Sequence, residues 1–271
     1  MLKQRIITAA LLLPVAIVGF FYLDGIAFAL FIGLVVTLAA WEWAHLAGFN
    51  AQPARVAYAV LVVLLLAMLY QLPALAPWLL VAAVLWWGAA TALVIGYPRS
   101  RRFWGGAPGS LLIGLLILLP AWQALLILKQ WPSGNWLIIA VMVLVWAADI
   151  GAYFSGKAFG RRKLAPAVSP GKSWEGLIGG LLASLAITLA IGLNRDWSAR
   201  ELVLVLLGAA LVVSVSVIGD LTESMFKRSA GIKDSSQLLP GHGGVMDRID
   251  SLTAAIPLFA VLLWLAGWGA R

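Results

Sequence analysis

Apolar residues fill this chain in long, nearly continuous segments that are separated by short polar stretches. A helix of about 20 residues spans the ~30 Å hydrocarbon core of a bilayer. Because the segments are apolar throughout, their backbone groups are satisfied within helices and not between the strands of a barrel. The pattern predicts an all-α integral membrane protein, a polytopic bundle of about nine transmembrane helices. These segments lie near residues 6–23, 25–44, 55–71, 75–96, 110–129, 135–156, 174–193, 200–222 and 251–268.

The composition agrees with a membrane domain. Of the 271 residues 63% are hydrophobic and 11% are charged, and the mean hydropathy of +0.99 excludes a soluble protein. Polar stretches are short, so we expect residues 1–271 to form one membrane domain. The first residues are similar to a signal peptide, but the small-residue pattern at 27–29 lies inside the next apolar run, and we expect an uncleaved first span. Because cysteine is absent, a disulfide framework and a thiolate metal site are excluded.

The net charge of +8 would suit a nucleic-acid partner, but the cations follow the topology instead. If the N-terminus is cytoplasmic, fifteen of the 19 Lys and Arg residues lie on the cytoplasmic side. The other four are Lys129, Arg195, Arg200 and Arg271. Cytoplasmic loops carry an excess of Lys and Arg. This bias indicates an odd number of spans and a cytoplasmic N-terminus, with no role in binding nucleic acid.

Most of the polar residues that could take part in catalysis or binding lie in the second half of the chain. We predict that residues 1–108 form scaffold helices, whereas residues 109–271 form the catalytic helices and two cytoplasmic loops, 157–173 and 224–250. The first loop mixes glycine and proline with cations and would suit a polyanion. Its cations are Lys157, Arg161, Arg162, Lys163 and Lys172.

Several carboxylates lie in or next to apolar spans. Asp149 and Asp220 are near span ends, although a charged group costs about 2.5–3.5 kcal/mol at a helix centre on insertion scales. Asp247 and Asp250 open the last span and share one helix face. The predicted topology brings all four acids to the cytoplasmic half of the membrane. Such oxygen ligands suit Mg²⁺ together with substrate phosphates, while simple pairing with Lys or Arg remains the alternative.

Two glycine-containing stretches are further candidates for phosphate binding. Residues 241–244 precede the last span, where consecutive N–H groups and a helix N-terminus would form an anion seat. His242 could act there as an acid or base, or only cap a turn. Lys172 lies in a Gly-Lys-Ser sequence, but Pro166 replaces the first glycine of a P-loop and no strand is predicted before it. Glu42, at the edge of the second span, is a weaker candidate because we expect it to be solvated.

The stretch from Ser224 to Asp250 resembles a known signature. It contains Ser224, Lys227, Arg228, Lys233, Asp234, Pro240, His242, Gly243, Gly244, Asp247, Arg248 and Asp250 at matching spacings. This pattern resembles that of the phosphatidate cytidylyltransferases, also called CDP-diacylglycerol synthases. Upstream, residues 149–160, 169–176 and 219–224 are also similar to that family. The resemblance is clear over residues 135–255, and the first hundred residues add only their hydropathy.

The resemblance implies transfer of CMP from CTP to phosphatidic acid, giving CDP-diacylglycerol and pyrophosphate in phospholipid biosynthesis, with Mg²⁺ required. A second cation, monovalent or divalent, remains open. The second pKa of a phosphate monoester is about 6, so the lipid nucleophile is largely ionised at neutral pH and needs no strong base. Metal ions and Lys or Arg side chains would then position two polyanions for an in-line displacement. A site rich in Asp, Lys and Arg suits this step.

The resemblance also assigns roles to residues. It implies Asp220 and Asp247 as the main metal ligands, helped by Asp149 and Asp250. The predicted catalytic residues are Asp220, Asp247, Asp250, Lys227, Arg228 and His242. The predicted substrate-binding residues are Ser224, Lys233, Asp234, Gly243, Gly244, Arg248, Lys172, Arg161, Arg162 and Lys163. We expect a protein of the bacterial inner membrane whose active site faces the cytoplasm, with CTP, phosphatidic acid and membrane lipids as partners and a homodimer left open.

Two other functions remain as alternatives. An ion-coupled transporter would also carry acids within its spans, although coupling acids are expected near the midplane rather than on one side. An enzyme that consumes CDP-diacylglycerol, of the CDP-alcohol phosphotransferase kind, would carry a longer acidic motif. Asp24-Gly25 is present without the rest of that motif.

Overall fold

A computed structural model describes residues 2–267 of the chain. The described part is almost entirely helical, as predicted. Its helices are α1 (Leu2–Ile17, continued by a π-helical turn over Val18–Tyr22), α2 (Gly25–Leu46), α3 (Gln52–Gln71), α4 (Ala76–Ile95, preceded by a 3₁₀ turn over Pro73–Leu75), α5 (Arg101–Trp104), α6 (Ala107–Gln130), α7 (Gly134–Phe159), α8 (Trp174–Asn194), α9 (Ala199–Ser229) and α10 (Met246–Leu265). A two-stranded hairpin, β1 (Lys163–Ala165) and β2 (Ser169–Ser173), precedes α8.

Eight helices in the described part are long and apolar enough to cross a membrane, judged by length and composition. They are α2, α3, α4, α6, α7, α8, α9 and α10. The first predicted span coincides with a shorter apolar helix over Ile6–Tyr22. The prediction of an all-α polytopic membrane protein is therefore confirmed.

The two polar segments are more ordered than we predicted. Helix α9 is 31 residues long and continues through residues 224–229, which we expected to lie at the start of a loop. The second loop covers only residues 230–245 between α9 and α10. A polar sequence can continue a helix when charges of opposite sign lie four residues apart, and Glu223 and Lys227 provide such a pair.

Helices α7 and α8 pack closely because small residues line their contact. On α8, Gly176, Gly180 and Ser184 recur every four residues and are buried. A Cβ at Gly180 would lie only 2.6 Å from the carbonyl oxygen of Ala148 on α7, and Ser184 Oγ donates to Leu144 O at 2.8 Å. Such spacing of small residues permits close approach of membrane helices.

Helices α9 and α10 also approach closely. A Cβ at Gly219 would lie 2.6 Å from the carbonyl oxygen of Asp250. Asp220, the next residue on α9, is thereby brought near Asp250 on α10. We call the end of the bundle where α7 and α9 end and α8 and α10 begin the site end.

The first half of the chain contacts the site end directly. Thr8 Oγ1 in α1 donates to Pro240 O at 2.9 Å. The rings of Trp43 and Trp104 pack against Phe226 of α9, with centroids 4.6 and 4.2 Å away. These contacts bind the helices of residues 1–108 to the loop and helix that carry the family signature.

Candidate functional site

Lys227 holds two helices together at the site end. Its Nζ is 2.5 Å from Glu223 Oε2, one turn earlier on α9, and 2.6 Å from Asp247 Oδ1 on α10. The side chain of Glu223 is fully buried and that of Asp247 is only 6% exposed. Water screens such buried charges weakly. Glu223 and Asp247 thus take part in charge pairing, which remained the alternative for the carboxylates in the sequence analysis.

Asp247 accepts hydrogen bonds on both of its oxygens. Besides the bond from Lys227 to Oδ1, its Oδ2 accepts from the backbone N–H of Ser235 at 2.9 Å, from Ser235 Oγ at 2.9 Å and from the N–H of Gly244 at 2.8 Å. Asp247 therefore ties the loop over 230–245 to α9. Its predicted role as a metal ligand stays a prediction, and these contacts favour a positioning role.

Glu42 corrects an expectation from the sequence. We expected a solvated carboxylate at the membrane edge, but its side chain is fully buried. Its Oε1 accepts from Ser236 Oγ at 2.5 Å and from Val245 N at 2.9 Å, and its Oε2 lies 3.1 Å from Ser235 Oγ and 2.6 Å from Met246 N. Residues 1–108 therefore do more than form scaffold helices, because Glu42 in α2 contacts the loop over 230–245 and the start of α10.

The turn before α10 requires glycine at two positions because of its backbone conformation. Leu239 N donates to Gly243 O at 2.9 Å and His242 N to Leu239 O at 2.8 Å. Gly241 and Gly243 have φ values of 77° and 81°, in the region that favours glycine. The backbone of His242 thus helps to form a turn, whereas an acid or base role for its imidazole stays a prediction.

The predicted anion seat is largely filled by the protein itself. The N–H of Gly244 donates to Asp247, and those of Val245 and Met246 donate to Glu42. The N–H groups of Gly244 and of the helix N-terminus are therefore occupied by the chain, and anion binding by the rest of the turn stays a prediction. The positive end of α10 is instead compensated by two carboxylates of the chain.

We expect Gly244→Ala to weaken this arrangement. A Cβ at Gly244 would overlap Ser235 Oγ and lie 2.5 Å from Glu42 Oε1. Overpacking of this kind costs about 1–3 kcal/mol, so the melting temperature should fall by about 5 °C. Thermal unfolding of the purified variant measures this. Gly171→Ala is the matched control because nothing lies within 4 Å of its Cβ position, and an equal loss in both variants would contradict the steric argument.

A second cluster of charged residues at the site end, formed around Lys172 and Asp220, is more exposed to solvent than the group around Lys227. Lys172 Nζ lies 2.6 Å from Asp220 Oδ2, and these side chains are 29% and 28% exposed. Ser224 Oγ donates to Asp220 Oδ1 at 3.2 Å. Asp149 and Asp250 interact electrostatically with Asp220 and with Lys172. Lys172 therefore pairs with the carboxylate of α9, and the carboxylates of Asp149 on α7 and Asp250 on α10 lie near enough to interact with both, as the predicted topology indicated.

Lys172 reaches this cluster from the hairpin, which sequence reasoning missed. Strands β1 and β2 pair antiparallel, and Ser173 caps α8 by accepting from Gly176 N at 3.1 Å. Arg228 Nε donates to Val168 O at 3.2 Å and fastens the hairpin to α9. The expectation that no strand precedes Lys172 is wrong, but Pro166 still replaces the P-loop glycine.

The remaining predicted phosphate contacts divide into paired and exposed residues. Arg162 Nε pairs with Glu175 Oε1 at 3.3 Å, and the N–H groups of Arg161 and Arg162 also donate to the Glu175 carboxylate. The exposed residues at the site end include Arg161, Lys163, Lys233, Asp234 and Arg248. The exposed cations are placed where they can contact an anionic ligand.

A divalent cation at the site end would need oxygen donors of the chain close together. Within residues 2–267 no three His, Cys, Asp or Glu side chains are grouped closely enough to hold a metal ion. Mg²⁺, however, is usually held by one or two carboxylates together with substrate phosphates and water. Asp220, with Asp149 or Asp250 near it, fits that requirement. Among the predicted ligands Asp247 fits less well, because it is only 6% exposed and accepts from four donors of the chain, whereas Asp220 is 28% exposed and has two.

Few features of the sequence indicate the residues that support this site. Ser235 and Ser236 carry no motif. Their importance follows from Glu42, which reaches them across 193 and 194 positions, and from the contacts of Ser235 with Asp247. The one available signal was a carboxylate placed between Trp41 and Trp43 in an apolar span. A charged residue in such a span usually has a partner.

Comparisons with known proteins cover nearly the whole chain. A model described as the cytidylyltransferase family matches residues 3–266. A phosphatidate cytidylyltransferase of Pseudomonas aeruginosa is 71% identical over 270 residues, which cover 100% of both chains. Proteins of the same name from Haemophilus influenzae and Brucella suis are 43% and 36% identical, covering 96% and 98% of this chain and 98% and 93% of theirs. The similarity thus includes the first hundred residues, for which the motifs added nothing.

Proposed function

Because the chain belongs to the cytidylyltransferase family, we propose that it is a phosphatidate cytidylyltransferase, which transfers CMP from CTP to phosphatidic acid. The observation that carries this proposal is the partly exposed Lys172–Asp220 pair, with Asp149 and Asp250 beside it. The cluster lies at the end of an apolar bundle, where a water-soluble nucleotide and a membrane lipid can both reach it.

The reaction needs positioning more than it needs a base. An oxygen of the lipid phosphate attacks the α-phosphorus of CTP, the new P–O bond forms, and the bond to the β-phosphate oxygen breaks to release pyrophosphate. The lipid phosphate is largely ionised at neutral pH because its second pKa is about 6. The protein must therefore hold two polyanions together and offset their charge.

Different residues of the site would bind phosphates, hold the metal ion and support the other side chains. Lys172 and the exposed Lys233 and Arg248 would bind phosphate oxygens. Asp220, with Asp149 or Asp250, would hold Mg²⁺, which when bound offsets the negative charge of the phosphates. Lys227 is buried between two carboxylates, so we assign it to the support of the site rather than to direct phosphate binding.

We further propose that the site faces the cytoplasm of a bacterial inner membrane. The contact of Thr8 with Pro240 supports a placement of the N-terminal end of α1 on the side of the site. That side also holds most of the chain's cations under the predicted topology. CTP would then enter from the cytoplasm, and phosphatidic acid would enter laterally from the inner leaflet.

The function is tested by release of pyrophosphate from purified protein in lipid vesicles or detergent. We expect turnover with CTP, phosphatidic acid and Mg²⁺, and about 100-fold less when CTP is replaced by ATP, GTP or UTP or when Mg²⁺ is removed. The exposed Arg195, at the opposite end of the bundle, offers a control: Arg195→Gln should keep full activity. Folded protein that shows no turnover with any nucleotide would contradict the proposal, and a flux assay would then test transport.

A further inference from the structure

Helix α10 has no side-chain cap of its own, and Glu42 from α2 takes that place. Val245 at the start of α10 provides no capping hydrogen bond. The backbone N–H groups of Val245 and Met246 donate instead to Glu42, at 2.9 and 2.6 Å. We propose that Glu42 is a positioning residue for cytidylyl transfer: it holds the loop over 230–245 and the first turn of α10 in the arrangement that the reaction needs. This inference rests on the proposed function.

The burial of Glu42 requires this compensation. A carboxylate with no exposure is costly unless it is hydrogen-bonded. The nearby cation is Arg55, but its Nε donates to Trp41 O at 3.2 Å and its guanidinium stacks on the Trp41 ring at 3.5 Å. The charge of Glu42 is therefore offset mainly by the N-terminus of α10 and by the hydroxyls of Ser235 and Ser236.

Ser235 connects Glu42 to the rest of the site. Its Oγ lies 3.1 Å from Glu42 Oε2 and 2.9 Å from Asp247 Oδ2, and its one hydroxyl proton serves one carboxylate at a time. Asp247 in turn contacts Lys227. A continuous polar chain thus runs from α2 through the loop and α10 to α9, and a change at Glu42 is transmitted to the groups around Asp247.

Loss of Glu42 is expected to affect the binding of the nucleotide more than the binding of the lipid. The loop and first turn that Glu42 holds carry Lys233 and Arg248, which we assign to the triphosphate of CTP because both are exposed to solvent and CTP carries more negative charge than the lipid phosphate. Lys172 and Asp149 belong to the hairpin and to α7, which Glu42 does not contact. Loss of Glu42 should therefore impair the use of CTP while leaving the binding of phosphatidic acid nearly unchanged.

The decisive variant is Glu42→Gln. It keeps the shape of the side chain, but each oxygen of Glu42 accepts one backbone N–H, Oε1 from Val245 and Oε2 from Met246. The amide group must therefore turn an N–H₂ toward a backbone donor in either orientation. We expect kcat/KM for CTP to fall about 30-fold or more, mainly through a higher KM for CTP, while KM for phosphatidic acid changes less than about twofold.

Hydrogen exchange provides a readout that needs no substrate. In Glu42→Gln, exchange should rise over residues 233–247 and stay unchanged over residues 163–173. Thr37→Val is the matched control on α2, because the Thr37 hydroxyl bonds only to Gly33 O of its own helix; it should leave both measurements as in the wild type. If Glu42→Gln does not fold, Ser236→Ala removes one donor to Glu42 and should shift both readouts in the same direction by less.

Two results would overturn the inference. One is a wild-type KM for CTP with wild-type exchange over residues 233–247. The other is a fall in kcat alone, with both KM values unchanged, because that result is expected when only the fraction of folded enzyme is reduced. Should the wild-type protein release no pyrophosphate, the proposed function would fail, while the exchange measurement would still decide whether Glu42 positions the loop.

Discussion

Lys227→Met is expected to destabilise the protein more than any other single change considered. The variant leaves Glu223, which is fully buried, and Asp247, which is 6% exposed, without the cation that they share. Removing one partner from a buried ion pair costs about 3–5 kcal/mol, a large part of the total stability of a typical protein. We expect the melting temperature to fall by about 10 °C, measured by thermal unfolding in detergent.

A second substitution distinguishes the effect of the lost charge in Lys227→Met from any effect of altered packing. Met and Lys side chains have similar length, so Lys227→Met mainly removes a charge. Adding Glu223→Gln should recover part of the lost stability because one uncompensated carboxylate is removed. Arg195→Met, at the exposed opposite end, serves as the control and should melt as the wild type does. A Lys227→Met protein with the wild-type melting temperature would show that the buried group contributes little.

The stability of this buried group could not be read from the sequence, although its members could. The four-residue spacing of Glu223 and Lys227 is visible, and so is the family signature that contains Asp247. Among the described residues, eight of the nine predicted spans coincide with helices long enough to cross a membrane, because the membrane imposes a similar length and apolar character on each helix. Hydropathy did not locate the end of α9, because an ion pair rather than apolarity extends that helix past the predicted span.

Glu42 is an example of a residue whose environment cannot be predicted from its neighbours in the sequence. A carboxylate next to the headgroup layer is solvated unless another part of the fold covers it, and the covering residues here are about 200 positions away. The anion seat is a related case: the sequence indicated free N–H groups, but Asp247, three residues from Gly244, and the distant Glu42 accept from three of them. The Lys172–Asp220 cluster was closer to prediction, since the topology alone brings span ends of the same side together.

Asp220→Asn is expected to have the largest effect on activity. The substitution keeps the size of the side chain and a partner for Ser224, but it removes the charge that pairs with Lys172 and that would hold Mg²⁺. Loss of one preorganised electrostatic group lowers kcat by about 10²–10³-fold. Since the Asp220–Lys172 pair is partly exposed, its contribution to stability is small, and the melting temperature should stay within about 3 °C of the wild type.

Pyrophosphate release over a range of Mg²⁺ concentrations tests this expectation. Asp196→Asn is the matched control: Asp196 is exposed at the opposite end, and its φ of 52° lies in a region that Asn also tolerates. Asp247→Asn provides the contrast, because it should lose both stability and activity through its contact with Lys227. If Asp220→Asn kept full activity with the wild-type dependence on Mg²⁺, Asp220 would not be a metal ligand. If it instead unfolded as Asp247→Asn does, Asp220 would belong with the groups that support the site.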